Sequence, residues 1–408
     1  MNNDAKILKE LGKKIAEIAH LPVQNEKKEL WRKNNDLEPV RPMVYIDQLP
    51  WHELGKSDEL KNRCEDEFLR TVETGLLQTL YRWRHFPCDM VVENRLDIPH
   101  EIHNLDYGIH IMEDVRQTDE SNDIVSHKYV DQIDTPEKLE MLKADKIWVD
   151  HKLDEEHFER CSEIFDGILP VRFSGVQIHA GVWDRIAQMK PAEAILWDII
   201  DRPGFVKDIV RKFVELTEAT LTQCEEQGLL DPKAQYVHCT GAYTDDLPKQ
   251  QGEKTMAKNV WAFGMAQIFS TVSPDMHNEF EIELVKPLYE KFGLLYYGCC
   301  EPLENKIDIV RKLSNVRKIS VSPWADAKKS AEHMGADYVM SFKSNPSYIA
   351  TGEFDEGCVE KNIRGAICAA KENGTPVEII LKDVSTVSYH LSHIDRWEKT
   401  AMKIVEEG

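Results

Sequence analysis

Hydrophobic positions along the chain follow two periods, that of a helix and that of a buried strand. Near the amino terminus, Leu8, Leu11, Ile15 and Ile18 form one helical stripe within the charged segment 1–40. Further along, helical patterns and brief polar connections separate short apolar runs at 43–46, 89–94, 168–173, 235–239, 294–297, 318–322, 338–343 and 377–383. Strands that alternate with helices in this way pair in parallel. The pattern therefore predicts an α/β fold, a (β/α)8 TIM barrel over residues 41–408 with an N-terminal helical arm over residues 1–40.

The helical period also predicts long helices, among them 60–84, 181–200, 205–227 and 276–292. The arm could pack on its own barrel or on a second copy of the chain, so a homodimer is one possible arrangement. No G-x-G-x-x-G or Walker motif occurs in the sequence, which argues against a nucleotide-binding doubly wound sheet.

Composition narrows the choice of partner and compartment. The formal net charge of −21 disfavours nucleic acid, because phosphate binding needs clustered cations. No apolar run approaches the roughly 20 residues that span a bilayer, and the amino terminus has no apolar signal core. Nine cysteines without a regular framework are typical of a reducing compartment. A cytoplasmic protein without a membrane partner is expected.

Metal-ligating and acid–base side chains follow several predicted strands. They are Glu93, Asn94, His238, Cys239, Cys299, Cys300, Glu301, Lys343 and Asp383. Side chains at the carboxyl ends of barrel strands point into the active site, and Cys, His and carboxylates are the ligands of zinc. Each has a plainer alternative. Cysteines pack as small hydrophobes, His238 could cap a strand, the carboxylates could pair with Lys or Arg, and Lys343 could be a surface lysine. Adjacent cysteines on a strand point to opposite faces, so one of the two thiols is expected to face the site.

Further polar and aromatic side chains lie near the same predicted strand ends. Tyr243 and Trp324 could stack on a flat apolar ligand, and the loop that carries Tyr243 also carries Asp246. Glu93, Asn94, Tyr243 and Trp324 are therefore the candidate substrate-binding residues. Lys343 could orient an anionic substrate.

From about residue 80 to the carboxyl terminus, the chain resembles the uroporphyrinogen decarboxylase superfamily. The resemblance rests on the order and spacing of the segments 129–139, 191–198 and 273–280, the last of which leads through a helix into the strand before Cys300. It implies a (β/α)8 barrel with one of two chemistries: cofactor-free decarboxylation of a porphyrinogen, or corrinoid-dependent methyl transfer. The decarboxylases carry an N-terminal arginine-rich motif, and residues 47–54 contain no arginine. The resemblance therefore favours the methyltransferase branch, which includes O-demethylases.

In that branch, zinc is bound by a His-x-Cys motif at one strand end and by a Cys on the last barrel strand. Cys300 matches the first of these cysteines, but Gly298 stands in place of the His. The last strand offers Asp383 and Ser385 and no Cys. A zinc site here would need a different ligand set, for which Cys300, Cys299, His238 and Asp383 are the candidates. Glu301 is a further possible ligand or proton handler.

The resemblance thus implies a zinc-dependent methyltransferase. It would move a methyl group from a small methylated substrate, such as a methoxylated aromatic compound, to the cob(I)amide of a separate corrinoid protein. Glu301, Asp246 and Lys343 are its candidate catalytic residues. Two alternatives remain open. One is a decarboxylase with Glu93 or Asp246 as proton handler, and the other is a non-catalytic binding protein for a tetrapyrrole or corrinoid.

Overall fold

A computed structural model describes residues 3–105, 111–117 and 125–407. Its helices are α1 Asn3–Ala19, α2 Pro22–Asn35, α3 Trp51–Leu54, α4 Glu67–His85, α5 Pro136–Glu140, α6 His151–Phe165, α7 Val182–Met189, α8 Ala192–Asp201, α9 Pro203–Gln227, α10 Pro274–His277, α11 Glu283–Tyr289, α12 Ile307–Val310, α13 Ala327–Met334, α14 Glu356–Asn373 and α15 Ser392–Glu406. Its strands are β1 Met43–Ile46, β2 Leu96–Pro99, β3 Ile102–His103, β4 Glu113–Arg116, β5 Ser126–Tyr129, β6 Trp148–Val149, β7 Val171–Ser174, β8 Tyr236–Val237, β9 Thr240–Gly241, β10 Trp261–Gly264, β11 Leu294–Tyr297, β12 Val316–Val321, β13 Val339–Ser344 and β14 Val377–Leu381.

The centre of the fold is a parallel sheet of six strands in the order β1-β14-β13-β12-β11-β10. These strands are buried along almost their whole length because a parallel sheet is covered on both sides. The register places Tyr296 beside Phe263 and Ile380 beside both Tyr45 and Lys343. The predicted α/β class with parallel strands is confirmed. The predicted run 294–297 coincides with β11.

The sheet is barrel-like but does not close into a regular eight-stranded ring. β2 and β7 form a separate parallel pair. Beyond the two edge strands of the sheet, backbone hydrogen bonds run from Asp89 N to the Val44 carbonyl of β1 at 3.0 Å and from Ala180 N to the Phe263 carbonyl of β10 at 2.8 Å. The predicted strand at 89–94 is wrong, because the buried Asp89 carboxylate accepts hydrogen bonds from Arg41 and from Val44 N and pins this segment as a loop.

Alternation along the strands gives the six-stranded sheet two different faces. One is apolar and packs against the helices; it includes Val44, Ile46, Leu295, Tyr297, Ile319, Val321, Met340, Phe342, Ile379 and Leu381. The other is buried and partly polar; it includes Tyr296, Lys318, Ser320, Ser341, Lys343 and Glu378. On this polar face Lys318 donates a hydrogen bond to Glu378 at 2.8 Å. Charged groups are therefore buried inside the curved sheet as well as at its edge.

The N-terminal helices pack on the same chain. Leu8, Leu11 and Ile15 of α1 are buried, and α1 lies against α4 and α6. In α2, the Trp31 indole donates a hydrogen bond to the Asp89 carbonyl at 2.8 Å, and Asn35 donates to the carbonyls of Gly241 and Tyr243. The described arm thus covers its own α/β core.

Several predicted helices and strands are shorter or interrupted. The predicted helix 60–84 begins at Glu67, where the Asp66 side chain caps it by accepting from Leu69 N. Pro191 divides the predicted helix 181–200 into α7 and α8. A π-helical turn, Asn278–Ile282, separates α10 from α11 in the predicted helix 276–292. The predicted strand 235–239 ends at Val237 because His238 has φ +53° and turns the chain back into β9.

Across the three described segments of the chain, no helix combines the length and the apolar character needed to cross a bilayer.

Candidate active site

The turn after β11 brings two thiols together. Gly298 has φ +91°, a conformation that favours glycine, and the chain leaves the strand there. The Sγ atoms of Cys299 and Cys300 lie 3.5 Å apart. The expectation that only one of them faces the site is wrong, because both residues belong to the turn and no longer follow strand alternation.

Gly298 also explains the departure from the family motif. A Cβ atom at this position would lie 2.5 Å from Leu303 Cδ1 and 3.3 Å from Ser320 Cβ. Leu303 and Ser320 are both buried. A histidine in place of Gly298 would therefore need a different turn, so this turn has no room for the histidine of the His-x-Cys motif.

A carboxylate from the end of β14 completes the cluster. Asp383 has φ +55°, and its Oδ2 accepts a hydrogen bond from Cys300 Sγ at 3.5 Å. Among the described residues, Cys299, Cys300 and Asp383 form the one group whose donor atoms all lie within 4.8 Å of one another. Cys299 is buried, Cys300 is half-buried and Asp383 is exposed, so the group lies at the protein surface.

Lys382 lies directly against this group and was missed by sequence reasoning. Its Nζ is 3.0 Å from Cys299 Sγ, 3.2 Å from His238 Nε2 and 3.1 Å from Asp383 Oδ2. The lysine is only 2% exposed. The available signal was its position, because Glu378, Ile380 and Lys382 share one side of an alternating strand.

Lys382 sets the protonation of its neighbours. Burial favours its neutral amine, but Cys239, Cys299 and Asp383 outweigh burial and raise the pKa of Lys382. The contact with the Cys300 thiol, assisted by the Lys382 charge, lowers the pKa of Cys299. The same thiol–thiol contact, together with burial, raises the pKa of Cys300. These shifts favour the thiolate form at Cys299 over the thiolate form at Cys300.

His238 lies behind the lysine rather than among the three clustered donors. Its ring stacks on Phe263 with the ring centroids 3.9 Å apart. Burial, and then the charges of Lys382 and Lys343, lower the pKa of His238 far below its usual value. The imidazole is therefore neutral, and its Nε2 accepts the hydrogen bond from Lys382, since an ammonium can only donate.

Glu301 supports the turn from inside the protein. It is fully buried, and its carboxylate accepts hydrogen bonds from Cys299 N at 2.9 Å and from Ala266 N at 3.1 Å. Burial raises the pKa of Glu301. Its oxygens contact backbone N–H groups, so its observed contacts position the cysteine turn.

Lys343 lies deeper on the polar face of the sheet. It donates hydrogen bonds to the hydroxyls of Tyr296 and Ser341, the latter at 2.7 Å. It is 2% exposed, so it is not a surface lysine. Within the described part of the chain, no ion pair joins Lys343 to a carboxylate.

The remaining predicted residues are not gathered at the thiols. Asp246 pairs with Arg317 at 2.8 Å, at the amino end of β12, whereas the cysteines follow the carboxyl end of β11. Glu93 binds Lys28 of α2 at 2.6 Å and the Tyr243 hydroxyl at 2.9 Å. Asn94 lies 3.5 Å from the His20 ring. Trp324 follows the carboxyl end of β12 with its side chain 73% exposed.

A cavity of about 700 Å³ lies apart from the thiols. It is lined by residues of α4, by residues 90–93 and 95–99, which include Glu93, and by Tyr236. Cys299, Cys300 and Asp383 do not contribute to its described lining. The candidate site is thus a cluster of two thiols and a carboxylate at an edge of the sheet, rather than a deep pocket.

The donor set fits a zinc ion. The S–S and S–O separations of 3.5 Å are close to the edges of a tetrahedron around zinc, roughly 3.3–3.8 Å for bond lengths of about 2.0–2.3 Å. Two thiols and a carboxylate are zinc ligands, and three protein ligands leave the fourth position open. The Lys382 ammonium would have to withdraw from Cys299 and Asp383 for the metal to bind.

No family profile matches the chain, and no curated protein matches it. Among solved structures, the chain is similar to a methyltransferase from Methanosarcina mazei, with a TM-score of 0.51 and 12% sequence identity. The match covers 92% of this chain and 98% of the other. At this identity the likeness shows that the two chains share a fold over nearly their whole lengths.

Proposed function

We propose that the protein is a zinc-dependent methyltransferase that transfers a methyl group from a small methylated substrate to the cob(I)amide of a separate corrinoid protein. The observation that carries the proposal is the Cys299–Cys300–Asp383 cluster at the carboxyl end of a parallel sheet. Carboxyl strand ends are where α/β barrels hold their reactive groups. The similar fold of a solved methyltransferase supports the same class of reaction.

Cys299, Cys300 and Asp383 would hold the zinc, which when bound supplies a Lewis acid for the ether oxygen of a methoxylated substrate. The corrinoid of the partner protein would supply the electron pair that takes the methyl group, and the pair of the broken methyl–oxygen bond would stay on the substrate oxygen. Glu301 fixes the turn that carries both thiols. Without the metal, Lys382 donates to Cys299, and His238 accepts from that lysine on its other side.

The test combines metal content with methyl transfer. The purified protein is assayed by mass spectrometry for zinc and by absorbance for conversion of cob(I)alamin with an aryl methyl ether. We expect about one zinc per chain, with both zinc and activity lost in Cys300→Ala and Asp383→Asn. Cys368→Ala, at an exposed cysteine of α14, is the matched control and should retain both. Methyl transfer that survives Cys300→Ala and chelation would contradict the proposal.

The second candidate is the decarboxylase, and one observation favours it. Three lysines are buried on or beside the polar face, Lys318, Lys343 and Lys382, and Glu378 is the fully buried carboxylate that pairs with the first of them. A cationic interior suits a substrate with several carboxylates. Carbon dioxide release from a porphyrinogen or an aromatic acid, unaffected by Cys300→Ala, would replace the methyltransferase proposal with this one.

A further inference from the structure

The Lys382 ammonium contacts the atoms that a metal ion would need. Its three neighbours are a sulfur, a ring nitrogen and a carboxylate oxygen, from Cys299, His238 and Asp383, at 3.0, 3.2 and 3.1 Å. An ammonium has three N–H donors, and these three acceptors match them in number. The internal cation therefore already uses two of the three clustered donors, Cys299 and Asp383.

The other buried lysines of the sheet differ in their partners. Lys318 is neutralised by Glu378 at 2.8 Å, and Lys343 donates to two hydroxyls. Neither contact involves a donor of the cluster. Of these three lysines, Lys382 is thus the one that contacts the donor atoms a metal ion would use.

A dication and an ammonium cannot share these donors. Zinc needs the lone pairs of the Cys299 thiolate and the Asp383 carboxylate, which accept from Lys382 in the absence of metal. Two cations held a few ångströms apart in a partly buried site also repel each other strongly. Either the lysine side chain withdraws or the metal is excluded.

We infer that Lys382 competes with zinc for Cys299 and Asp383, so that this lysine sets the metal affinity of the site and keeps the metal exchangeable. The inference rests on the proposed function for the identity of the metal. It assigns to Lys382 a regulatory role toward zinc: the side chain fills the site when zinc leaves and must move out when zinc returns.

The test measures zinc affinity rather than turnover, by competition with a chromophoric chelator. In Lys382→Met, which removes the charge and keeps the length, we expect zinc to bind at least about tenfold more tightly than in wild type. Lys382→Arg keeps the charge and should not exceed the wild-type affinity. Lys343→Met removes the same charge from the neighbouring strand and should change the affinity by less than about threefold, since its Nζ contacts no cluster donor.

A measurement on the unaltered protein covers the case in which a variant does not fold. Acylation of Lys382 by an amine-reactive reagent, quantified by peptide mass spectrometry, should rise when zinc is added, because the buried side chain leaves the cluster. Unchanged acylation at saturating zinc, equal affinities of wild type and Lys382→Met, or equal gains in both Met variants would each overturn the inference.

The two proposals can fail separately. Zinc that binds Lys382→Met but not wild type supports the competition and removes zinc from the proposed function. Methyl transfer by a wild-type enzyme whose zinc affinity does not depend on Lys382 leaves the proposed function standing and overturns the competition.

Discussion

At the scale of single residues, backbone conformation decides which side chains meet. His238, Gly298 and Asp383 have φ values of +53°, +91° and +55° and border the same group of atoms. Two of them are not glycine, and a left-handed conformation costs such residues roughly 1–2 kcal/mol. Residues held in such conformations cluster at functional sites, where the surrounding structure keeps them in place. The three turns bring a ring, two thiols and a carboxylate to one edge of the sheet.

Gly298→Ala should disturb both stability and the thiol pair. The substitution adds a Cβ 2.5 Å from Leu303 Cδ1 at a backbone φ that side chains avoid. We expect the free energy of unfolding, measured in urea, to fall by about 2–3 kcal/mol. Gly365→Ala is the control, because Gly365 lies in α14 with open space around it. This substitution should raise the free energy of unfolding by about 0.5–1 kcal/mol. Equal stability of Gly298→Ala and wild type would contradict the strain described here.

The sequence predicts which residues form this site better than it predicts how those residues are arranged. Cys299, Cys300 and Asp383 could be selected because polar groups after buried strands gather at one edge. The left-handed turns could not be predicted, since Asp383 and His238 carry no glycine signal. A lysine beside an aspartate is typical of a solvated strand end, so Lys382 was not predicted as a site residue. In the structure it lies on the same buried side of the strand as Glu378 and Ile380.

At the scale of elements, a π-helical turn anchors β11 from the outside of the sheet. Within Asn278–Ile282, the buried Glu281 accepts hydrogen bonds from the Tyr289 hydroxyl at 2.6 Å and from the Tyr297 hydroxyl at 3.0 Å. Tyr297, the last residue of β11, also contacts His277 Nε2 at 2.7 Å. This network holds the strand end immediately before the cysteine turn.

Glu281 should make stability depend on pH. Burial raises the pKa of Glu281 from about 4.5 to about 7, so the native state binds a proton that the unfolded chain releases. Its contribution is fully present below pH 4.5 and is lost as the pH rises through about 7. The free energy of unfolding should fall between pH 5 and pH 8 in wild type. In Glu281→Gln we expect this fall to be smaller by on the order of 2 kcal/mol.

The control for this measurement is Glu332→Gln, at an exposed glutamate of α13. It should leave the slope of stability against pH unchanged. A Glu281→Gln slope equal to that of wild type would show that burial of this carboxyl group does not favour its protonated form.

At the scale of the whole molecule, the described arm and the core form one packed unit. Leu8 is fully buried and belongs to the same apolar cluster as Met43 and Tyr45 of β1. The helical stripe in the sequence predicted the buried side of α1, and Ile18 is only partly buried where the helix nears its end. The incomplete ring of the sheet could not be predicted, because it depends on how Asp89 bonds Arg41 and Val44, which lie 48 and 45 residues away in the sequence.

Leu8→Ala should therefore destabilise the entire protein. The change leaves a cavity between α1 and the helices beneath it, and we expect a loss of about 2–4 kcal/mol in a urea titration. Lys13→Ala, on the exposed side of α1, should change stability by less than about 0.5 kcal/mol. A local loss of α1 helicity without a shift of the main unfolding transition would instead make the arm an independent unit.

The convergence of Cys299 and Cys300 also has a consequence for how the protein is handled in air. Two thiols 3.5 Å apart, one of which has a lowered pKa, are placed for oxidation as a pair. A two-electron oxidant that joins them in a disulfide removes both sulfur donors in a single event. Exposure to air would therefore leave a mixture of molecules that can bind metal and molecules that cannot, rather than lower the metal affinity of every molecule equally. Thiol reductants reverse such a bond by exchange. Activity lost during purification would then be recoverable in full, until further oxidation of the sulfur makes the loss permanent.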